Sequence, residues 1–375
     1  MATNNNNKAL NVPPLRFPEF TEEWENMRLG DNCNIQMCKR ILAAQTNTEG
    51  GVPFYKIGTI GGKADAYISK DLFDEYKMKY SFPHKGEVMI TCAGTVGKCI
   101  IYNGEDSYYQ DSNIVWIDNP NEIISNDFLY HLLSKINWSH LNSTTIVRIY
   151  NDDLRKLKLY YPEHDEQKKI NNLFQLINER IATQNKIIDK LQSLIKGIRV
   201  CCMQRVYGNN VHLSEIAQIY QPQTISSTEL TEDGFLVYGA NGIIGKYKDY
   251  NHETEQICIT CRGNTCGMVN YTKPMSWITG NAMVINTDKY QDKVCKRYLY
   301  HYLSAYNFNS IISGSGQPQI VRTPLEKFKI TLPTISEQKQ KAIIFDKIQD
   351  KIDISHKILN LYIRQKQHLL RQMFI

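Results

Sequence analysis

The sequence predicts an α+β protein in which two similar mixed α+β domains are separated by an antiparallel coiled coil of two long helices. Two observations carry this prediction. The chain matches itself at an offset of 171 residues, because Leu154 to Pro162 followed by Glu166-Gln167-Lys168 returns as Leu325 to Pro333 followed by Glu337-Gln338-Lys339. Each copy then continues into a segment with an apolar heptad repeat, which is typical of a long helix that pairs with another helix.

Proline residues mark the start of each long helix. Pro162 and Pro333 disfavour helical backbone in the residue before them, and Asp165 and Ser336 follow as the predicted N-caps. Each helix is therefore expected to begin at the same place in the repeat. The chain divides into a first globular domain at 1–164, a first long helix at 165–206, a second globular domain at 207–333 and a second long helix at 334–375.

The heptad positions of the two helices superpose at the offset of the repeat. Stripes of this length exceed what one small domain can cover, so we predict that the helices pair with each other. A globular domain separates them in the chain, which favours an antiparallel arrangement. Packing of each helix on its own globular domain is the alternative. The predicted coiled-coil interface consists of Phe174, Ile177, Ile181, Ile188, Leu191, Ile195, Ile198, Phe345, Ile348, Ile352, Leu359, Tyr362 and Leu369.

The globular domains combine short strands with a short helix each. Apolar runs rich in β-branched residues and broken by glycine are typical of strands, while Leu129 to Ser134, which returns as Leu299 to Ser304, belongs to a predicted helix. Both domains are therefore predicted to be α+β. The predicted strands are Val52–Gly58, Val88–Cys92, Ile114–Ile117, Phe235–Gly239, Gln256–Thr260 and Ala282–Ile285, and the predicted helices lie around Asp127–Lys135 and Lys296–Ala305.

The composition is that of an ordinary folded protein, with 42% hydrophobic and 10% aromatic residues. No apolar run approaches the roughly 18 residues of a membrane-spanning helix, and the asparagine-rich start lacks the apolar core of a signal peptide. We therefore expect a cytoplasmic protein whose ten cysteines are reduced thiols. Cys258 and Cys261 have the spacing of a zinc pair, but they lie in a predicted strand without a second pair, so no metal site is predicted.

The net charge of +6 lies mainly on the two helical segments, which each hold eight basic and four acidic side chains. The globular domains are close to neutral. A uniformly basic face for nucleic acid is therefore not visible in the composition, and the charge alone neither indicates nor excludes DNA binding.

Two glycine-containing loops, Thr91 to Lys98 and Thr260 to Gly267, occupy the same place in the two copies. Glycine permits positive φ angles and a close approach to a partner. The first loop lacks the Gly-x4-Gly-Lys-Ser/Thr spacing of a phosphate loop, so nucleotide hydrolysis is not predicted. A tight structural hairpin and a loop that faces DNA both remain open interpretations.

Other loops of both domains are rich in side chains that hydrogen-bond base edges and phosphates. These loops are Thr59–Lys63, Tyr108–Asn113, Ser143–Arg148, Tyr238–Lys246, Thr279–Asn281 and Ser313–Arg322. Together with the glycine loops they supply the predicted DNA-binding residues Lys63, Lys98, Tyr108, Asn113, Arg148, Asn241, Lys246, Arg262, Asn264, Gln317 and Arg322.

Sequence motifs of several enzyme classes are missing from the chain. These include the Asn-Pro-Pro-Tyr/Phe motif of amino methyltransferases, the glycine-rich dinucleotide fingerprint, His-Glu-x-x-His and Gly-x-Ser-x-Gly. No catalytic residue is therefore predicted.

The duplicated unit, in which each copy ends in a proline, Glu-Gln-Lys and a heptad helix, resembles the specificity subunit of Type I restriction-modification systems. Gly86 to Gly97, Val237 to Gly245 and Ser313 to Pro318 look like stretches of that family's target recognition domains. The resemblance covers essentially the whole chain. The first copy departs from the pattern at Asn142 to Val147, where the second has Gly-Ser-Gly-Gln-Pro.

The resemblance implies a non-catalytic, sequence-specific DNA-recognition subunit. Each target recognition domain would read one half of a bipartite double-stranded DNA target, and the paired helices would set the spacing and dock two modification subunits. Those subunits would bring S-adenosylmethionine and methylate an adenine in each half-site, and motor-nuclease subunits would join for restriction, while this chain binds no cofactor itself. Two alternatives stay open: a protein-binding coiled-coil scaffold, and a nuclease or methyltransferase with a degenerate site.

Overall fold

The fold is described from a computed structural model over residues 11–138, 148–204, 206–240, 242–314 and 316–375. The chain divides into two compact units. Residues 1–183 together with 360–375 form unit 1, and residues 184–359 form unit 2. The four-part linear division made from the sequence remains a prediction beside this one.

Unit 1 contains a mixed globular domain. Its elements are β1 (Glu25–Arg28), α1 (Leu29–Asn32), β2 (Asn34–Gln36), β3 (Thr46–Asn47), β4 (Val52–Tyr55), β5 (Tyr67–Ile68), α2 (Lys70–Lys79), β6 (Val88–Thr91), β7 (Cys99–Ile101), β8 (Tyr108–Tyr109), β9 (Ile114–Asp118), α3 (Asn126–Lys135), α4 (Asn151–Lys156) and β10 (Lys158–Tyr161), and the long helix α5 (His164–Gln204) begins here. Four strands form an antiparallel sheet in the order β2-β9-β6-β7. A second sheet has the order β3-β5-β4-β8, in which β4 and β8 are parallel, and β1 pairs with β10.

Unit 2 repeats this plan. Its elements are β11 (Asn209–His212), β12 (Gln218–Tyr220), β13 (Phe235–Gly239), β14 (Gly242–Tyr247), β15 (Ile257–Thr260), β16 (Val269–Tyr271), β17 (Trp277–Ile278), β18 (Ala282–Asn286), α6 (Lys296–Ala305), α7 (Arg322–Glu326), β19 (Lys329–Leu332) and most of the long helix α8 (Ile335–Gln372). The sheet β12-β18-β15-β16 corresponds to the four-stranded sheet of unit 1, β13 and β17 correspond to the parallel pair, and β11 pairs with β19. Short 3-10 helices lie at Ala43–Gln45 in unit 1 and at Leu213–Glu215, Ser227–Glu229, Asp288–Tyr290 and Phe308–Ile311 in unit 2.

The central strands of both four-stranded sheets are buried on both faces, which explains their continuous apolar sequences. Along β6, Val88 and Ile90 belong to one hydrophobic core while Met89 belongs to the other. Along β15, Ile257 and Ile259 face one core and Cys258 the other. Helices α3 and α6 pack against the first of these cores in their units.

Within unit 1, the first turns of α5 meet both the globular core and the last turns of α8. Phe174 is fully buried and its ring lies 4.5 Å from that of His131 on α3 and 5.8 Å from that of Phe374. Further along α5, an Arg180 Nη donates to the Tyr362 hydroxyl at 3.5 Å. The helix therefore packs on its own globular domain at its start and on the other helix beyond it.

Within unit 2, the second half of α5 packs against the first half of α8. Ile195, Phe345 and Ile352 form a buried cluster, and the Gln184 amide donates to the Ser355 carbonyl oxygen at 3.2 Å. In each unit an early part of one helix meets a late part of the other, so the helices run antiparallel where they meet. The predicted fold class, with two mixed domains and two long antiparallel helices, is confirmed.

The predicted N-caps are wrong by two residues. Helices α5 and α8 begin at His164 and Ile335, which places Asp165 and Ser336 inside the first turn. At the second junction the Thr334 hydroxyl accepts the Glu337 N–H at 3.3 Å and so acts as the cap. In the parts of the chain that the structure describes, no helix has a stretch long and apolar enough to cross a membrane.

Candidate nucleic-acid interface

The glycine loop of unit 1 is a hairpin that joins β6 to β7. The Gly97 N–H donates to the Thr91 carbonyl oxygen at 2.8 Å, and the Lys98 N–H donates to the Thr91 hydroxyl at 3.0 Å. Gly94 and Gly97 have φ angles of 65° and 81°, a region that favours glycine. The loop is therefore a tight hairpin whose glycines are required by backbone geometry, and DNA contact by this loop stays a prediction.

Three other loops of unit 1 gather around this hairpin. The Cys92 N–H donates to the Asn113 carbonyl oxygen at 2.7 Å, and the Ile149 N–H donates to the Cys92 carbonyl oxygen at 2.9 Å. The Lys98 ammonium donates to the Ile60 carbonyl oxygen. Two polar loops that the sequence singled out separately, Thr59–Lys63 and Tyr108–Asn113, thus come together with Ile149 at one end of the four-stranded sheet.

Unit 2 builds the same arrangement with different side chains. The Cys261 N–H donates to the Asn281 carbonyl oxygen at 3.2 Å, and the Ile320 N–H donates to the Cys261 carbonyl oxygen at 3.0 Å. These bonds repeat the two contacts of Cys92 in unit 1. The Thr260 hydroxyl donates to the Ala240 carbonyl oxygen, which brings the turn between β13 and β14 to the same place.

The structure places the predicted residues of unit 1 unequally. Lys63 and Lys98 are exposed, and Asn113 and Arg148 are half-buried in the gathered loops. Tyr108 is only 1% exposed, its hydroxyl donates to the Lys39 carbonyl oxygen at 3.0 Å, and burial raises its pKa. The prediction of a DNA contact is wrong for Tyr108, because pairing of β8 with β4 directs its ring into the core.

In unit 2, Arg262, Asn264 and Gln317 are exposed in the gathered loops. Lys246 lies opposite Leu236 at the other end of the β13–β14 ladder, where its ammonium is 3.4 Å from an Asp233 carboxylate oxygen. Arg322 is exposed at the start of α7 and pairs with Glu326 at 2.7 Å. Asn241, and residues 143–147 of a predicted loop in the first domain, lie outside the described residues.

Sequence reasoning missed two exposed polar residues at these loop clusters. Arg40 pairs with the Asp111 carboxylate at 2.8 Å in unit 1. The Gln221 amide donates to the Gly280 carbonyl oxygen at 3.2 Å in unit 2. Both follow the outer strand of the four-stranded sheet, and only the pairing of β2 with β9 and of β12 with β18 brings them here.

The cysteines near the hairpins are packing residues. Burial raises the pKa of the Cys92 and Cys258 thiols to about 12, so both stay protonated at neutral pH. Across the described ranges, no three or more His, Cys, Asp or Glu side chains are grouped to hold a metal ion. The gathered loops instead present amides and cations, which suit hydrogen bonding to phosphates and base edges.

The repeat, the twice-built sheet and the two loop clusters agree with one known family. The model of the Type I restriction modification DNA specificity domain matches residues 21–193 and again residues 209–361. The chain belongs to this family. The resemblance noted in the sequence is confirmed.

Individual specificity subunits resemble parts or all of the chain. It is 51% identical over 144 residues to the putative type I restriction enzyme specificity subunit S.HindORF215P of Haemophilus influenzae, and 31% identical over 147 residues to the type I restriction enzyme EcoprrI specificity subunit of Escherichia coli. Each match covers 38% of this chain, and the chain spans only 37% and 36% of the length of these two relatives. The putative MjaX specificity subunit of Methanocaldococcus jannaschii is 24% identical over an alignment that covers 93% of this chain and 92% of that protein.

Two solved structures share the fold of this specificity-domain protein. The S subunit of a Type-I restriction-modification system from M. genitalium matches 97% of this chain and 99% of its own, with a TM-score of 0.64 and 16% identity. A chain from a type I R-M system, solved in work on complex assembly and conformational transition, matches 94% and 97% with a TM-score of 0.58 and 15% identity. At these identities the likeness concerns the fold.

Proposed function

We propose that this chain is the non-catalytic DNA-recognition subunit of a Type I restriction-modification complex, and that each globular unit reads one half of a bipartite target. The observation that carries the proposal is the pair of loop clusters. The same hydrogen bonds organise both clusters, at Cys92 and at Cys261, but the side chains that they expose differ. Equal scaffolds with unequal exposed residues suit two half-sites of different sequence.

Phosphate contacts would supply much of the affinity, and base-edge contacts would choose the sequence. Among the cations of the loop clusters, Lys63, Lys98 and Arg148 in unit 1 and Arg262 in unit 2 support this part of the proposal. Asn264 and Gln317 add neutral amides, whose donor and acceptor atoms match the edge of adenine. These assignments extend the family membership to particular residues.

The long helices are proposed to set the distance between the half-sites. Helix α5 has 41 residues, which corresponds to roughly 60 Å at about 1.5 Å per residue. Half-sites read from one side of DNA recur about every 34 Å, or roughly 10 base pairs. Helices of this length would be compatible with a fixed spacer of that order.

The helices are also proposed to dock two modification subunits. Ile187 and Leu194 on α5 and Ile354 and Ile358 on α8 are exposed aliphatic side chains, which water disfavours. The modification subunits would carry S-adenosylmethionine and methylate adenine, and motor-nuclease subunits would join them for restriction. The non-catalytic role of this chain rests on its membership of a DNA specificity family.

Co-expression with a modification subunit, followed by methylome sequencing, tests the proposed function. We expect a single bipartite motif with adenine methylated on both strands. A continuous motif, or no motif despite a stable complex, would contradict the proposal. Partner binding that is insensitive to salt, with no DNA footprint, would instead support a protein-binding scaffold.

The spacing role has its own test. Insertion of four residues into the middle of α5 alone shifts the heptad phase of one helix relative to the other. We expect a changed spacer length or loss of the complex. An unchanged spacer in a complex of normal stability would show that the helices do not set the distance.

A further inference from the structure

Arg40 and Asp111 form an ion pair at the loop cluster of unit 1. The Arg40 Nε donates to an Asp111 carboxylate oxygen at 2.8 Å, and the two side chains are 67% and 16% exposed. The pair lies on the wall of an open cleft of about 360 Å³ that Lys56, Gln110 and Asn113 also line. The acidic partner is thus mostly enclosed, while the cationic partner projects towards solvent.

The turn that carries Asp111 is held in an unusual backbone conformation. Ser112 has a φ angle of 54°, in the left-handed region that non-glycine residues seldom adopt. An Arg148 Nη donates to the Ser112 carbonyl oxygen at 3.3 Å. In unit 2 the residue two positions before the inner strand β18 is Gly280, so the strained serine is particular to unit 1. Such strain is retained where the surroundings enforce it, often at functional sites.

The geometry leaves one edge of the Arg40 guanidinium available. A guanidinium has five N–H donors, and among the described residues Asp111 is the single acceptor that Arg40 contacts, through Nε. The two Nη groups can therefore donate together to one flat acceptor pair. Guanine presents such a pair, O6 and N7, in the major groove of DNA.

We propose that Arg40, oriented by Asp111, reads a guanine in the half-site of unit 1. This inference rests on the proposed function and names one specificity-determining residue for it. A lysine cannot replace the fork of a bidentate arginine, and fixing of the side chain by a largely buried carboxylate lowers the entropy cost of binding.

At the two corresponding positions, both of them described, unit 2 has neutral residues. Arg40 lies four residues after the end of β2. The residue four positions after the end of the corresponding strand β12 is Thr224. Asp111 lies three residues before β9, and the residue three positions before the corresponding strand β18 is Thr279. The Thr279 hydroxyl accepts the Ile225 N–H at 3.3 Å. The charged pair of unit 1 thus corresponds to two neutral residues in unit 2. The requirement for guanine should therefore belong to one half-site only.

The test uses the full chain co-expressed with its modification subunit. The variants are Arg40→Ala, Arg40→Lys and Asp111→Asn, and the control is Arg155→Ala, which removes another exposed arginine that pairs with an aspartate, Asp152, on α4. Methylome sequencing gives the motif. Binding of the assembled complex to duplexes that carry 7-deazaguanine, which lacks the N7 acceptor, tests the contact at the level of one atom.

We expect Arg40→Ala and Arg40→Lys to reduce the preference for guanine over other bases at one position of one half-site. The reduction should be roughly 5- to 150-fold, the discrimination that one bidentate contact supplies. Asp111→Asn should relax the same position less, and Arg155→Ala should leave the motif unchanged. The 7-deazaguanine penalty at that position should disappear in Arg40→Ala.

Three results would overturn the proposal while the wild-type complex still methylates a bipartite motif. They are an unchanged motif in Arg40→Ala, a loss of binding that is equal for all sequences and restored by lysine, and half-sites without any G·C pair. The second result would make Arg40 a phosphate contact. A wild-type complex without a bipartite motif would refute the proposed function itself.

Discussion

The side-chain carbonyl oxygen of Gln167 accepts the backbone N–H of Ser125 at 2.8 Å. The same glutamine donates to the carbonyl oxygens of Ile123 and Pro162, both at 2.9 Å, and it is 1% exposed. It therefore ties the loop before α3 to the first turn of α5 through buried hydrogen bonds. Gln338 repeats these bonds in unit 2 and is also 1% exposed.

Replacement of Gln167 by leucine should destabilise unit 1 by about 3 kcal/mol, because it leaves buried donor and acceptor groups unpaired at roughly 1–3 kcal/mol each. Urea unfolding can follow unit 1 by tryptophan fluorescence in a Trp277→Phe background, since Trp24, Trp116 and Trp138 all belong to that unit. The matched control is Gln175→Leu on the exposed face of the same helix, which should change stability by less than about 0.5 kcal/mol. Equal losses of unfolding free energy in the two variants would show that the hydrogen bonds of Gln167 do not stabilise unit 1.

Gly97 should tolerate no side chain. Its φ angle is 81°, and a Cβ atom there would lie 2.0 Å from the Trp138 ring. Gly97→Ala combines a left-handed backbone with overpacking, so we expect a loss of about 2–4 kcal/mol. Gly50 has a similar φ angle of 78° with no atom within 4 Å of the added Cβ, so Gly50→Ala should cost about 1 kcal/mol. The same urea experiment compares them, and a Gly97→Ala variant as stable as Gly50→Ala would contradict the packing of the hairpin on Trp138.

Buried His131 should make unit 1 less stable in mild acid. Burial, with a smaller effect of Lys366, lowers the pKa of His131 to about 4. The unfolded chain, with a histidine pKa near 6.5, binds the proton more readily, so stability is complete above about pH 6.5 and falls as the pH drops towards 4. Between pH 7 and pH 5 we expect a loss of about 2 kcal/mol from this residue.

The His131→Phe variant separates this contribution from that of other groups. Phenylalanine keeps the ring contacts with Phe174 and Phe374 and cannot be protonated. Urea unfolding at pH 7 and pH 5 should therefore show about 2 kcal/mol less pH dependence in the variant than in the wild type. An identical pH dependence in both proteins would show that His131 is protonated equally in the folded and unfolded states.

Much of the architecture was readable from the sequence because it depends on local patterns. The predicted strands Val88–Cys92 and Phe235–Gly239 and the helix Lys296–Ala305 lie where expected, within a residue at each end. The Glu-Gln-Lys segments recur at the start of both long helices. The hydrogen bonds of Gln167 and Gln338 now give a physical reason for their repetition.

The candidate site was only partly readable because it depends on which loops meet. Tyr108 has the composition of a recognition residue but lies in the core, and Arg40 lies in a stretch without a motif but reaches the loop cluster. The matching histidines of the repeat share a ring contact, His131 with Phe174 and His301 with Phe345, but differ in hydrogen bonding. His301 lies 2.8 Å from an Asp346 carboxylate oxygen, whereas the buried Nδ1 atom of His131 has no hydrogen-bond partner among the described residues. Such differences arise from tertiary contacts and not from periodicity.

Reading of one half-site by each unit is tested most directly by methylome sequencing of a complex in which Arg262 and Gln317 are both replaced by alanine. Both residues are exposed in the loop cluster of unit 2. We predict that one half of the bipartite motif becomes degenerate, while the other half and the spacer stay unchanged. Degeneracy in both halves, or an unchanged motif, would contradict the assignment of one half-site to each unit.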